Sequence, residues 1–88
     1  MSQNRQEPFL FTLSSGNLVI DGARSISVYT NGGTTSVTNG VSQTLTLPAS
    51  TTIELNADGG NTLDTVTVTP VTGTAYVTFI GGVGTLNP

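Results

Sequence analysis

The sequence predicts an all-β fold, a small antiparallel β-sandwich of about seven to eight short strands. Apolar and hydroxyl residues alternate in several runs, most clearly within residues 41–80, and alternation directs every second side chain to the same face of a strand. Turn-forming residues interrupt these runs roughly every 8–12 residues, as in sandwiches and barrels. No window of about eleven residues has the i, i+3, i+4 spacing of an amphipathic helix. A jelly-roll-like and an immunoglobulin-like sandwich both fit this pattern.

Eight segments have the strand pattern, and threonine, which occurs 17 times in the chain, supplies many of their β-branched residues. The predicted strands are residues 9–13, 18–20, 25–30, 34–38, 41–47, 51–56, 63–69 and 74–80. In the seventh, Leu63 lies on the opposite parity from Val66 and Val68. We therefore expect either a bulge near Asp64 or a Leu63 side chain that packs within the preceding loop.

Turn residues predict how some of these strands are connected. Residues 31–33 (Asn-Gly-Gly) and 39–40 (Asn-Gly) each predict a tight hairpin, because asparagine and glycine tolerate the positive φ of primed turns. Residues 14–17 predict a turn through which strand 18–20 pairs back against strand 9–13.

Three parts of the chain differ in composition. Residues 1–8 are polar and are expected to form a flexible N-terminal arm, and residues 9–80 form the β-sandwich domain. Residues 81–88 are glycine-rich and are expected to be a C-terminal tail or a lining against a partner. The N-terminal residues have no hydrophobic stretch behind a basic one, which indicates synthesis in the cytoplasm without a signal peptide. No apolar run approaches the ~20 residues of a membrane helix, so no membrane association is expected.

The composition predicts that the sandwich is covered by other protein. A chain of 88 residues has a thin core, and small cores normally need disulfides, a metal or self-association. Cysteine and histidine are both absent, which removes the disulfide route and the commonest metal ligand. Only 8% of residues are charged and none is lysine, although exposed sheet edges are normally protected by charges. Strand 74–80 also carries apolar side chains on both faces, which indicates cover on both sides.

Several function classes are disfavoured by the residue types. Nonspecific nucleic-acid binding needs several basic contacts with phosphates, and the chain has only Arg5 and Arg24 with a net charge of −3. Acyl-transfer pairs need a His, Lys or Cys partner, and none is present. We expect no enzyme, no cofactor and no nucleic acid.

Carboxylates are the only remaining candidates for catalytic or metal-binding chemistry. A paired-carboxylate mechanism would need two carboxylates at glycosidase spacing, and the candidates are Asp21, Glu54, Asp58 and Asp64. Glu54 lies at an outward parity and should be solvated, and the aspartates lie in turns, where they bond their own backbone. The loop 56–64 is rich in oxygen ligands and is a candidate ion-binding loop, but it has only two carboxylates and no closing glutamate. A plain turn loop is the simpler interpretation, and no metal site is predicted.

Tyr29 and Tyr76 are the only polar aromatic residues. Tyr29 lies at an outward parity among serines, so it is a candidate for stacking on a sugar or for anchoring a subunit contact. A tyrosine on an ordinary sheet surface, without any binding role, would fit the same sequence pattern.

The second half of the chain contains SQTLTLPASTTIEL and DTVTVTPVTGTAYVTFIGG. Over roughly residues 37–82 it resembles the small β-rich virion proteins of tailed bacteriophages, in particular capsid decoration proteins and minor head- or tail-associated proteins. The resemblance implies a sandwich or jelly-roll module that is made in the host cytoplasm and binds as an oligomer on a lattice of major capsid protein. It also implies that residues 1–13 or 81–88 form an arm on a neighbour. No family motif transfers residue by residue, so no site residue is implied.

Two functions are therefore expected, in order. The first is a non-catalytic structural virion protein, a homo-oligomer that docks on a capsid or tail shell and decorates or cements it. The alternative is a carbohydrate- or receptor-binding module of a phage fibre, in which Tyr29 and the Asn/Asp loops form a shallow polar site.

Overall fold

The structure, a computed structural model, describes residues 8–87 and the side chains from Leu10 onward. This part of the chain contains nine β-strands, all paired antiparallel, and no helix. The strands are β1 (Pro8–Leu13), β2 (Asn17–Asp21), β3 (Ser25–Asn31), β4 (Thr35–Thr38), β5 (Thr44–Leu47), β6 (Thr51–Asn56), β7 (Val66–Pro70), β8 (Thr74–Ile80) and β9 (Val83–Asn87). The predicted all-β antiparallel sandwich is confirmed, and each of the eight predicted strands is present.

The strands form two sheets, one with the order β1-β8-β3-β6 and the other with the order β5-β4-β7-β2-β9. Strand β1 pairs with β8, β2 with β7, β3 with β6 and β4 with β5. These are the four successive strand pairs of one long hairpin, in which the chain reverses between β4 and β5. Rolling that hairpin brings β8 beside β3 and β7 beside β4, and both of these pairs are present. This is the strand arrangement of a jelly roll, with β9 added beside β2.

The alternation in each strand explains the core. In the four-stranded sheet, cross-strand neighbours place Ile26 beside Phe79 and Val28 beside Val77 on the inner face, and all four are buried. In the five-stranded sheet the inner face has a corresponding apolar row of Val37, Val68 and Leu18. Burying a side chain of this size stabilises a fold by about 1.5–3 kcal/mol, so these rows hold the two sheets together.

Two of the predicted pairings are wrong, and the jelly roll explains why. Strands β1 and β2 lie in different sheets, as do β3 and β4, so neither connection is a hairpin within one sheet. Of the turns predicted to connect paired strands, only residues 39–40 lie in a hairpin, the one between β4 and β5. The loop of this hairpin extends from Asn39 to Gln43. Its residue with positive φ is Ser42 rather than Gly40. Turn residues permit a reversal of the chain, but they do not determine which sheet the next strand joins.

The segment expected as a C-terminal tail contains a strand. Strand β9 pairs along its whole length with β2, from Asn17 opposite Asn87 to Asp21 opposite Val83. The chain passes from β8 to β9 through Gly81 and Gly82, which have φ values of 75° and 77°. Because the inward position 84 is a glycine, the alternation that predicts a strand is interrupted. Of the N-terminal arm expected over residues 1–8, only Pro8 is within the described residues, and it begins β1.

Two local predictions on the sixth and seventh strands are confirmed. Strand β7 begins at Val66, and Leu63 packs against the core from the loop before it. The backbone N–H of Leu63 donates to the carbonyl of Ala23 at 2.7 Å, which fixes the loop to the turn after β2. Glu54 is exposed on the outer face of β6, as its parity predicts.

Candidate functional site

The candidate carboxylates are distributed over the surface rather than gathered at one place. Asp21 ends β2 and accepts a hydrogen bond from the Thr65 hydroxyl. Glu54 lies on the outer face of the other sheet, and Asp58 and Asp64 are in the loop between β6 and β7. Within residues 8–87, no group of three or more His, Cys, Asp or Glu side chains is placed to hold a metal ion.

The loop 56–64 is built as a hydrogen-bonded turn. The backbone N–H of Asn61 donates to the carbonyl of Asp58 at 2.9 Å, and Gly59 between them has a φ of 55°. The side-chain oxygen of Asn56 accepts from the Ser25 hydroxyl at 2.9 Å, so this oxygen is engaged with β3. These contacts fit the interpretation of the segment as a turn loop.

The two tyrosines are direct cross-strand neighbours on the outer face of the four-stranded sheet. Tyr29 is 38% exposed and Tyr76 is 44% exposed, and the centroids of their rings are 6.1 Å apart with an interplanar angle of 27°. In the same row, Thr12 lies beside Tyr76 and Thr52 beside Tyr29. The sequence analysis identified both residues but not their contact, because parity gives the face of a side chain and not the register between strands. Within residues 8–87, this outer face of β8 is left exposed at Tyr76.

The edges of the two sheets are almost free of charge. The four edge strands are β1 and β6 in one sheet and β5 and β9 in the other. Glu54 is the only charged residue in these strands. An edge strand presents unpaired backbone N–H and C=O groups, and natural proteins usually protect such edges with lysine or other charges. Within residues 8–87, no further strand pairs with the outer side of any of these four edge strands.

The side of the sandwich between β1 and β9 is open and apolar. A cavity of about 300 Å³ is lined by Phe11, Phe79 and residues 82–84, and a second of about 420 Å³ lies between residues 12–15 and 86–87. The ring of Phe11 stacks on that of Phe79 with centroids 5.6 Å apart. Leu86 shares the inner-face register of the fully buried Leu18 but is 54% exposed. At Leu86, therefore, the inner side of β9 is not covered by the four-stranded sheet.

Gly84 sets how closely β9 approaches the core. A Cβ atom at position 84 would lie 2.7 Å from Cζ of Phe79 and 3.4 Å from Cδ1 of Leu18. Both atoms belong to core residues, so only glycine allows β9 to lie against the edge of the Phe79 ring. A glycine at an inward position has no apolar signal, so this site was not predictable from the sequence.

The opposite side, between β5 and β6, is also open. Leu45 faces inward opposite the buried Val37 and is nevertheless 48% exposed. It lines a cavity of about 230 Å³ with Ile53 and Leu55, and a neighbouring cavity of about 240 Å³ includes Leu55. The side-chain amide of Asn39 donates to that of Gln43 at 2.9 Å at the rim. Both open sides of the sandwich therefore combine two backbone edges with accessible apolar side chains.

Comparisons with protein-family models, with curated proteins and with solved structures find no match to this chain. Residues 8–87 include no helix that is long and apolar enough to cross a membrane.

Proposed function

We propose that this protein is a non-catalytic structural protein of a virion, which self-associates and docks on a phage capsid or tail shell to decorate or cement it. The observation that carries the proposal is the near absence of charge from four open backbone edges, which border two accessible apolar grooves. The mechanism is associative: the apolar grooves become buried by neighbouring subunits, and the backbone groups of the edges exchange water for main-chain hydrogen bonds.

The energetics of the edges favour this function. An extended segment of a neighbour can pair with an open edge strand, so that main-chain hydrogen bonds supply affinity and side-chain pockets supply specificity. The exposed apolar side chains Leu10, Leu45 and Leu86 are placed on three of the four edge strands. Burying apolar area contributes about 25 cal/mol per Å², and the cores of protein interfaces are depleted of charge. Covering the edges therefore buries apolar side chains with few charges to desolvate, provided that the backbone groups find partners.

Fold and sequence resemblance support the same class of protein. Jelly rolls occur in viral capsid and lectin domains, among others. This is an analogy at the level of the fold, which does not by itself determine function. The resemblance of residues 37–82 to phage virion proteins is independent of the strand order, and both favour a capsid-associated role.

Electron cryo-microscopy of co-expressed shells tests the proposal. The chain would be produced together with the major capsid protein encoded nearest to its gene, and assembled shells would be purified on a density gradient. We expect the chain to co-purify with the shells and to give density at a fixed lattice position. Shells without such density, together with a purified chain that remains monomeric, would contradict the proposal.

The paired tyrosines favour a second candidate function, binding of a carbohydrate receptor. Tyr29 and Tyr76 expose aromatic surface beside the hydroxyls of Ser27 and Thr52 and the carboxylate of Glu54. Exposed aromatic rings surrounded by hydrogen-bonding groups are suited to stacking against a sugar ring. A glycan array distinguishes the two functions, because a shell-cementing protein should show no saccharide preference. Carbohydrate binding predicts a preference that is lost in Tyr76→Ala and retained in Thr46→Ala on the other sheet.

A further inference from the structure

Two Asn-Gly pairs occur in the chain, at residues 31–32 and 39–40, and each is preceded by threonine. Asparagine followed by glycine is prone to deamidation, because glycine has no Cβ atom to hinder attack by its backbone nitrogen on the asparagine side chain. The two pairs have nearly the same local sequence. A large difference between them in the folded chain would therefore come from the structure around each pair.

The side chain of Asn39 is held by three hydrogen bonds. Its oxygen accepts from the backbone N–H groups of Val41 at 3.0 Å and Gln43 at 2.9 Å, and its nitrogen donates to the side-chain oxygen of Gln43 at 2.9 Å. Gly40 is packed closely, since a Cβ atom at position 40 would lie 2.5 Å from the Cβ of Asp64. Attack on Asn39 therefore requires these contacts to open first.

Asn31 lacks these restraints. It is the last residue of β3, it is exposed, and no described residue forms a hydrogen bond with its side chain. Gly32 is exposed too, and an added Cβ atom there would meet nothing within 4 Å. No backbone hydrogen bond joins the N–H of Gly32 to another residue of the described chain. Both groups that react, the side-chain amide and the glycine nitrogen, are therefore accessible at this turn.

From this contrast we infer that Asn31 is a site of spontaneous deamidation, and that Asn39 is protected from the same reaction by its turn. The backbone nitrogen of Gly32 attacks Cγ of Asn31, so that a C–N bond forms and the bond from Cγ to Nδ2 breaks. The amide leaves as ammonia with the proton of the Gly32 N–H. Water then opens the cyclic imide at either carbonyl, which gives aspartate or isoaspartate and adds one negative charge. The inference does not depend on the proposed function.

The isoaspartyl product would disturb a tight contact between two loops. An isoaspartyl linkage adds a methylene group to the backbone at residue 31. Immediately after it, Gly33 lies so close to Thr72 that an added Cβ atom would overlap the Thr72 carbonyl group. The N–H of Thr34 donates to the Thr72 hydroxyl at 3.1 Å, and the N–H of Val71 donates to the Thr34 carbonyl at 2.8 Å. A longer backbone displaces Gly33 and Thr34 from these partners, so the modified chain is less stable.

Peptide mapping by mass spectrometry measures both sites in one sample. The purified full chain would be incubated at mildly alkaline pH, folded or in concentrated guanidinium chloride, and loss of the amide would be followed at residues 31 and 39. We expect the ratio of the rate at residue 31 to the rate at residue 39 to be roughly tenfold or more higher in the folded chain than in the denatured chain. A ratio that is unchanged or lower on folding would overturn the inference. So would a folded chain that keeps the amide of residue 31 while the denatured chain loses it.

Matched glutamine variants test the effect on stability. Asn31→Gln and Asn39→Gln each keep a side-chain amide, but glutamine forms the larger cyclic imide much more slowly. On incubation we expect the midpoint of thermal unfolding to fall in the unmodified chain and in Asn39→Gln, and to stay constant in Asn31→Gln. An equal fall in Asn31→Gln, or isoaspartate at residue 31 without any fall, would overturn the predicted effect on the loops. Thermal unfolding before incubation identifies a variant that fails to fold, and the rates in the unmodified chain then decide.

Discussion

The hydroxyls of Thr30 and Thr35 are buried between the sheets, and no described residue offers either of them a hydrogen-bond partner. A buried polar group without a partner costs about 1–3 kcal/mol. We therefore predict that Thr30→Val raises the free energy of unfolding by about 1 kcal/mol, measured by urea denaturation. Thr52→Val, at an exposed position on the neighbouring strand, is the control and should change it by less than about 0.5 kcal/mol. A Thr30→Val variant that is less stable would show that this hydroxyl has a partner, such as a buried water.

The close approach at Gly84 leads to a second prediction at this scale. Alanine at position 84 would place its Cβ atom 2.7 Å from Cζ of Phe79, so either the ring or β9 must move. We expect Gly84→Ala to lower the free energy of unfolding by about 1–3 kcal/mol, as overpacking of a core usually does. Gly60→Ala is the matched control, because nothing lies within 4 Å of the added atom. Thermal unfolding that gives equal midpoints for the two variants would contradict the described position of β9.

At the scale of the element, the β4–β5 hairpin depends on one side chain. The side-chain oxygen of Asn39 accepts from the backbone N–H groups of Val41 at 3.0 Å and Gln43 at 2.9 Å. Asn39→Ala removes both of these bonds together with the side-chain bond to Gln43, and should lower the free energy of unfolding by about 1 kcal/mol, measured by urea denaturation. Gln43→Ala removes only the bond between the two side chains and is expected to cost less. The opposite order would show that the backbone bonds contribute little to the turn.

The individual strands were predictable because alternation is a local property of the sequence. Strands β3 and β8 place buried and exposed residues at alternate positions, and this pattern is visible without any knowledge of the partner strand. Strand β9 was not predictable, because Gly84 removes the inward apolar side chain and Leu86 is the only apolar residue left at an inward position.

The order of the strands within the two sheets, unlike the position of each strand, was not predictable from local alternation. The turn at residues 31–33 contains the right residues for a hairpin, yet it carries the chain from one sheet to the other. The choice depends on which apolar rows pack together across the whole domain, and no short segment contains that information. For the same reason the contact of Tyr29 with Tyr76 and the exposed inner side of β9 emerged only from the register. Of the properties of the open sheet edges, only their low charge was predictable, because charged residues are scarce in the whole sequence.

At the scale of the whole molecule, the small number of charges sets how association responds to salt. The chain has seven charged residues, and of those in the described part of the chain only Glu54 lies on an edge strand. Interactions between exposed charges are screened over about 10 Å at 0.1 M salt, whereas apolar and backbone contacts are not weakened in this way. We therefore predict that raising the salt from about 0.1 to 1 M does not dissociate the assembled protein, measured by light scattering. Release of subunits by salt would indicate a charge-dependent contact and contradict association through the described edges.

Sedimentation velocity is the measurement that tests most directly whether other protein covers these edges. The purified chain would be run over a range of concentrations, alone and mixed with shells of the major capsid protein encoded nearest to its gene. The proposed function predicts that the chain sediments as an oligomer or moves with the shells. A single boundary with the mass of one 9.0 kDa chain under every condition would contradict it.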